Sequence, residues 1–313
     1  MTKDREKNFV TAIVYVHNAE NRIEYFLEQL ISVLEDHFEN SEIICVNDAS
    51  NDRSTDIIRE CCRFVDNTSL SVINMSYFHG CELAMTAGMD LAIGDYVFEF
   101  DNTELDYDTS IIMDVYERCI SGYDIVSASP DKKEKFTSRM FYKLFDRFTH
   151  LSYKMSTESF RILSRRVINR INSMNRTILY RKAMYANCGL RTDNIRYKES
   201  GLSSKLHTDR KERKYRHRLA ADSMILATEI GYRFSMIMTM IMIIIAIIMI
   251  VFTVITYFTS NPVEGWTTTI LFLSISFFGL FGILTIIVKY LQLLVDRAFK
   301  RKQYSFESVE KLK

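Results

Sequence analysis

The stretch IICVNDASNDRSTD, residues Ile43 to Asp56, decides the fold. Ile43, Ile44, Cys45 and Val46 form a short apolar run, the pattern of a strand covered on both faces. Asn47 to Asp52 are turn and helix-cap residues, whose short polar side chains bond nearby backbone N–H groups. From Ser54 the apolar spacing becomes helical, with Ile57 and Ile58. A strand feeding a helix through an acidic turn is half of a βαβ unit. In an open α/β sheet, ligands gather beyond the carboxyl ends of the strands, which is where this turn places Asp48. The same pattern also fits a simple capped strand-to-helix turn.

Working outward, the pattern repeats. Phe9 to Val16 reads as a strand, followed by helical spacing through Ile23, Phe26, Leu27, Leu30, Ile31 and Leu34. Beyond the central stretch come a helix from about Ser54 to Val65, a strand at Leu70 to Met75, and a helix within Tyr77 to Leu91. Tyr96 to Phe100 (YVFEF) is a strand that runs into a second acidic turn at Asp101. A helix near Ser110 to Ser121 and a strand at Asp124 to Ala128 continue the alternation, which predicts a mostly parallel sheet. Lys132 to Tyr153 has Phe141, Phe145 and Phe148 on one helical face and Lys143 and Arg147 on another. That suits a helix lying on a membrane surface, and equally an ordinary packed helix. Phe160 to Ile162 and a helix near Ser164 to Met174 follow; the residues from there to Arg196 carry no clear pattern.

The last third is different. Lys198 to Arg233 is strongly basic, and two apolar runs follow, at 235–258 and 268–288, each long enough to cross a bilayer core. The loop between them has no Lys or Arg, while Lys289, Arg297, Lys300, Arg301 and Lys302 follow the second run. The positive-inside rule then puts both flanks in the cytoplasm. The expected organisation is a domain at 1–197, a basic juxtamembrane segment at 198–234, spans at 235–258 and 268–288, and a basic cytoplasmic tail at 289–313. The N-terminus, MTKDREKN, lacks the apolar core of a signal peptide. A net charge of +1 gives no general case for nucleic-acid binding, and six cysteines without CxxC pairing suit a reducing compartment. There is no GxGxxG, GxxxxGK[ST] or GxSxG, so a Rossmann dehydrogenase, a P-loop NTPase and a serine hydrolase elbow find no support.

The order of short motifs resembles family 2 glycosyltransferases of the GT-A fold, in the branch of dolichol-phosphate mannose synthase and polyprenyl-phosphate glycosyltransferases. VHNAEN (Val16 to Asn21) is similar to the opening YNE motif. VNDASNDRS (Val46 to Ser54) is similar to V-[DN]-D-G-S-x-D-x-[ST]. HGCELAMTAGMDLAIGDYVFEFD (His79 to Asp101) resembles the segment leading to the DXD aspartates. SRMFYKL (Ser138 to Leu144) and SFRILSRRVIN (Ser159 to Asn169) resemble the family's later basic and DFRL-type stretches. The resemblance implies a GT-A domain on a transmembrane hairpin in the inner (plasma) membrane. It would transfer a sugar from a nucleotide sugar to a polyprenyl (undecaprenyl) phosphate. It further implies Asn18 and Asp48 at the nucleotide, and Asp101 at the diphosphate and its Mg²⁺ or Mn²⁺. Arg139 and Arg161 would lie at the acceptor phosphate, and the chain would self-associate. The departures are Thr103 at the second DXD aspartate, Ser159 at the DFR aspartate, Ala49 at the turn glycine and Glu20 one place late in the opening motif. A non-catalytic nucleotide-binding scaffold or partner subunit is the alternative those departures suggest.

Overall fold

A computed structural model of the chain describes residues 5–131, 157–174, 180–199, 211–212, 214–215, 219, 230–259, 265–298 and 304–313. Its centre is an eight-stranded sheet in the order β7-β5-β6-β4-β1-β2-β3-β8. The strands β1 (Val10–Val16), β2 (Ser41–Asn47), β3 (Thr68–Met75) and β4 (Tyr96–Phe100) are parallel. Every residue of β1 is buried, as its nearly continuous apolar run requires of a strand covered on both faces. β6 (Phe160–Ser164) runs antiparallel between β4 and β5 (Ile125–Pro130), and β7 (Thr192–Tyr197) continues parallel to β5. The expected mostly parallel α/β sheet is therefore present, with β6 inserted antiparallel and β8 (Phe306–Lys311) antiparallel at one edge.

Helices cover both faces. α1 (Ile23–His37) buries Phe26, Leu27 and Leu30 in one core, together with α4 (Ser110–Ile120). α2 (Ser54–Glu60) continues into a 3-10 turn at Cys61–Phe64. α3 (Cys81–Leu91) lies in the second core with α5 (Arg165–Ser173) and α6 (Arg181–Asn187). α3 approaches the sheet closely: a Cβ on Gly88 would sit 2.5 Å from the Ile13 side chain.

The structure adds elements the sequence pattern does not declare. The stretch before Arg196 contains α6 and β7. The expected basic tail at 289–313 is more ordered than a tail: its last part forms β8 (Phe306–Lys311), antiparallel to β3. The expected amphipathic helix at Lys132 to Tyr153, and Arg139 within it, fall outside the described residues, as does most of Lys198 to Arg233.

α7 (Ile230–Thr259) and α8 (Trp266–Ala298) pack on each other as a unit of their own. Apolar windows at Arg233–Thr259 and Trp266–Leu291 make both long and apolar enough to cross a membrane. Their side chains are apolar nearly all round and largely exposed, Met240, Phe258 and Phe272 among them.

Candidate active site at the carboxyl edge of the sheet

Three loops meet beyond the carboxyl ends of β1, β2 and β4, and each carries a residue singled out in the sequence. After β1, Asn18 adopts a left-handed backbone (φ 47°), as Ala49 does after β2 (φ 51°). The two turns are tied together. Asn18 N–H donates to Ser50 Oγ (3.0 Å), and Asn18 Oδ1 accepts from Asn51 N–H (2.9 Å). Asparagine tolerates this region through its short polar side chain, whereas alanine has only the steric penalty. Ala49 thus stands in the conformation that explains a glycine in the motif it resembles.

Asp48 is wholly buried. Its Oδ1 accepts from His79 N–H and its Oδ2 from Gly80 N–H, both at 2.7 Å, and Tyr15 Oη donates to Oδ2 at 3.1 Å. Burial pushes its carboxyl above the usual carboxylate range, against the pull of these donors. Asp48 exposes no surface, so what it offers a ligand is the shape of the loop Tyr77 to Gly80. Gly80 (φ 87°) begins α3, and a Cβ there would meet the Tyr215 ring at 2.1 Å.

Asp101 has different surroundings. β4 places Glu99 and Asp101 on one face by strand alternation, and Arg161 is paired across from Glu99 in β6. Arg161 donates from Nη2 to Asp101 Oδ2 (2.9 Å), from Nη1 to Glu99 (2.9 Å) and from Nε to Glu158 (3.0 Å). Arg181, at the start of α6, donates from Nη2 to Asp101 Oδ1 (2.6 Å), from Nη1 to Glu99 (2.7 Å) and from Nε to Glu82 (3.0 Å). Tyr185 Oη donates to Glu99 at 2.8 Å. Both arginine side chains are at most 2% exposed, while Asp101 keeps 22% of its side chain open. Burial would raise the Asp101 carboxyl, but the guanidiniums of Arg181 and Arg161 outweigh it and hold it well below the usual range. Gly80 N–H on Asp48 and Cys81 Sγ, 3.9 Å from Asp101 Oδ1, make the start of α3 the bridge between the two turns.

The donor set does not fit the divalent cation that the DXD resemblance implies. Both Asp101 oxygens face guanidiniums, Thr103 at the second aspartate's place is buried, and Glu104 accepts from Arg22 (3.2 Å). Asp106 accepts from Tyr197 Oη at 2.8 Å. Among the described residues, no group of three or more His, Cys, Asp or Glu could hold a metal by itself, so any cation here would need substrate phosphate oxygens as further ligands. A cation at Asp101 would approach two guanidiniums bound to its own ligand.

Asn18 and Asp48 thus share one turn cluster, and Asp101 and Arg161 share an ion-pair network at the same sheet edge. Arg161, expected at an acceptor phosphate, donates to three carboxylates, Asp101, Glu99 and Glu158. The network also contains Glu99, Arg181, Glu82 and Tyr185, which no sequence motif marks. Glu99 had a visible signal, a carboxylate in the middle of the apolar strand YVFEF. Arg181 had none, because it lies where the sequence shows no periodicity.

Comparison with known proteins bears on what this edge does. A family model described as "Glycosyl transferase family 2" matches residues 11–176, more than half of the chain. An uncharacterized glycosyltransferase from Synechocystis is 30% identical over 188 residues, covering 58% of each chain. A prophage bactoprenol glucosyl transferase homolog from Escherichia coli is 26% identical over 194 residues, 60% of this chain and 62% of that protein. The chain thus spans about three-fifths of the length of these curated relatives. A solved structure, a mannosyltransferase from Pyrobaculum calidifontis in complex with GDP-Man and Mn²⁺, matches with a TM-score of 0.47 at 15% identity, over 68% of this chain and 61% of that one.

Proposed function

The chain belongs to glycosyl transferase family 2, and from that premise we propose that it transfers a sugar from a nucleotide sugar to a polyprenyl phosphate such as undecaprenyl phosphate. The observation that carries this reading is the family match over 11–176, within which Asn18, the Asp48 turn and Asp101 converge on one sheet edge. The bactoprenol glucosyl transferase relative supports a polyprenyl acceptor. The two long apolar helices support a membrane-held enzyme, and the inner membrane is the location that belongs to this reading. The positive flanks of those helices support a cytoplasmic catalytic domain and cytoplasmic termini. Self-association belongs to the same reading.

In this reaction a phosphate oxygen of the lipid attacks the anomeric carbon of the sugar. The bond from that carbon to the diphosphate oxygen breaks, and its electron pair leaves with the nucleoside diphosphate. The acceptor is already an anion, so no base is needed to generate the nucleophile. Asn18 and the Tyr77 to Gly80 loop line the nucleotide side, with Asp48 as the positioning residue beneath the loop. Asp101 presents its open face to the donor's sugar beside the diphosphate, as an acceptor of the sugar's hydroxyl hydrogen bonds. Arg161 and Arg181 hold that carboxylate charged and oriented, and Arg139 is the residue proposed for the acceptor phosphate, since guanidinium suits phosphate oxygens.

A second reading, a nucleotide-binding scaffold without turnover, is favoured by Thr103 and by the closed pairing of Asp101. Purified protein in detergent, supplied with a panel of UDP- and GDP-sugars and polyprenyl phosphate, with and without Mg²⁺ or Mn²⁺, decides between them. A sugar-linked lipid that disappears in Asp101→Asn supports transfer. No product from any donor, while UDP or GDP still binds, supports the scaffold.

A further inference from the structure

The strand β8 follows the second apolar helix in sequence and ends on the glycosyltransferase domain, beside the nucleotide-side turns. It pairs antiparallel with β3 from Ser71↔Lys311 to Met75↔Phe306, so the chain enters this strand at the carboxyl edge of the sheet. Two separate hydrogen-bond paths lead from it to the Asn47 to Ser50 turn. In the first, Ser305 N–H donates to His79 Nε2 (3.2 Å), and His79 N–H donates to Asp48 Oδ1 (2.7 Å). His79 Nδ1 lies 2.6 Å from the carbonyl of Tyr77. The imidazole therefore carries its proton on Nδ1 and accepts through Nε2, with its ring stacked 3.9 Å from that of Tyr77. In the second path, Asn74 Nδ2 donates to Ser308 Oγ and Glu310 Oε1, both at 3.1 Å. Asn74 Oδ1 accepts from Asn47 Nδ2 at 2.9 Å, and Asn47 Oδ1 accepts from Ser50 N–H at 3.1 Å. Further bonds fasten the strand: Arg59 grips Glu310 through two nitrogens at 3.1–3.2 Å, and Tyr304 Oη donates to Asp90.

The turn so held is a strained one, with Ala49 in the left-handed region. Such a conformation persists only where its surroundings over-determine it. We propose that the C-terminal strand is a strap that sets the nucleotide-side loops, with Ser305, His79 and Asn74 as positioning residues. Nucleotide binding then depends on a segment that follows the membrane helices in the chain. The inference rests on the nucleotide-sugar reading above for its ligand, and on hydrogen bonds alone for the strap.

The test uses the full chain in detergent, with two readouts: hydrogen exchange of the amides at 47–51 and 77–80, and binding of UDP and GDP. Ser305→Pro removes one N–H and leaves β8 otherwise intact, since proline is tolerated at the entry to an edge strand. His79→Leu removes the acceptor, and His79→Gln restores one at a similar place. Expected are faster exchange in both loops and about five- to tenfold weaker nucleotide binding in Ser305→Pro and His79→Leu, with recovery in His79→Gln. Asn74→Leu, which cuts only the second path, gives faster exchange at 47–51. A structural loss alone would not be rescued by glutamine. Unchanged exchange in Ser305→Pro and Asn74→Leu overturns the strap, whatever the nucleotide does. Faster exchange with unchanged nucleotide affinity overturns its role in binding. Wild-type protein that binds neither nucleotide, with exchange still responding to the variants, overturns the nucleotide reading and leaves the strap as a structural device.

Discussion

The two acidic turns at the carboxyl edge of the sheet look alike in sequence and differ in physics. Asp48 directly follows β2 and Asp101 directly follows β4. Asp48 is surrounded by neutral donors, two backbone N–H groups and a tyrosine hydroxyl, and burial dominates its titration. Asp101 is surrounded by two guanidiniums that keep it charged in spite of burial. The first aspartate shapes a loop. The second keeps a charged, partly open face. A turn motif therefore identifies where a ligand sits, but its neighbours decide whether the aspartate meets the ligand as structure or as charge.

Substitutions sharpen that contrast. The largest effect is expected from Arg181→Met, which leaves Glu99, Asp101 and Glu82 short of a partner in a buried site. A loss of about 3–5 kcal/mol in unfolding free energy follows from breaking one side of a buried network. A loss below about 1 kcal/mol, read by denaturant unfolding in detergent, would show that the network is solvated. Asp48→Ala is next. It strips the acceptor from two buried N–H groups and the Tyr15 hydroxyl, which costs about 2–3 kcal/mol by the same measurement.

Acid titration of stability separates the two by sign. The depressed Asp101 contributes stability that is fully present above its unfolded value, about pH 4, and is lost as pH falls toward its lower folded value. Asp48 is raised, so it works in the opposite sense: its charged form is disfavoured in the fold, and that penalty grows as pH rises past about 4. Asp101→Asn should therefore flatten the acid loss of stability, and Asp48→Asn should steepen it. Equal slopes in both variants would erase the distinction. The smallest effect is expected at Ala49→Gly, where relief of the left-handed alanine, offset by the greater freedom of unfolded glycine, leaves a gain of about 0.5–1 kcal/mol. A loss there would mean that the turn does not adopt φ 51°.

The parallel core was readable because β1 and β2 carry apolar runs, β3 and β4 are rich in apolar and β-branched or aromatic residues, and turn residues separate them. What escaped was built from polar residues. β8, FESVEK, has the alternation of an edge strand but lies in a charged stretch, and only its pairing with β3 makes it a strand. Arg181 sits on a seven-residue helix too short to show a period. Asp48, Asn18 and Asp101 were found as positions. Their partners arrive from 31 to 80 residues away, Gly80 and His79 on one aspartate, Arg161 and Arg181 on the other. No local pattern encodes such distances.

The most direct measurement of the contrast is a Mn²⁺ titration of the purified protein without nucleotide, followed by electron paramagnetic resonance of free Mn²⁺, on wild type and Asp101→Asn. Asp101 satisfied by Arg161 and Arg181 predicts the same weak uptake in both. One equivalent of tightly bound Mn²⁺ in the wild type, lost in Asp101→Asn, would contradict it and make Asp101 a metal ligand.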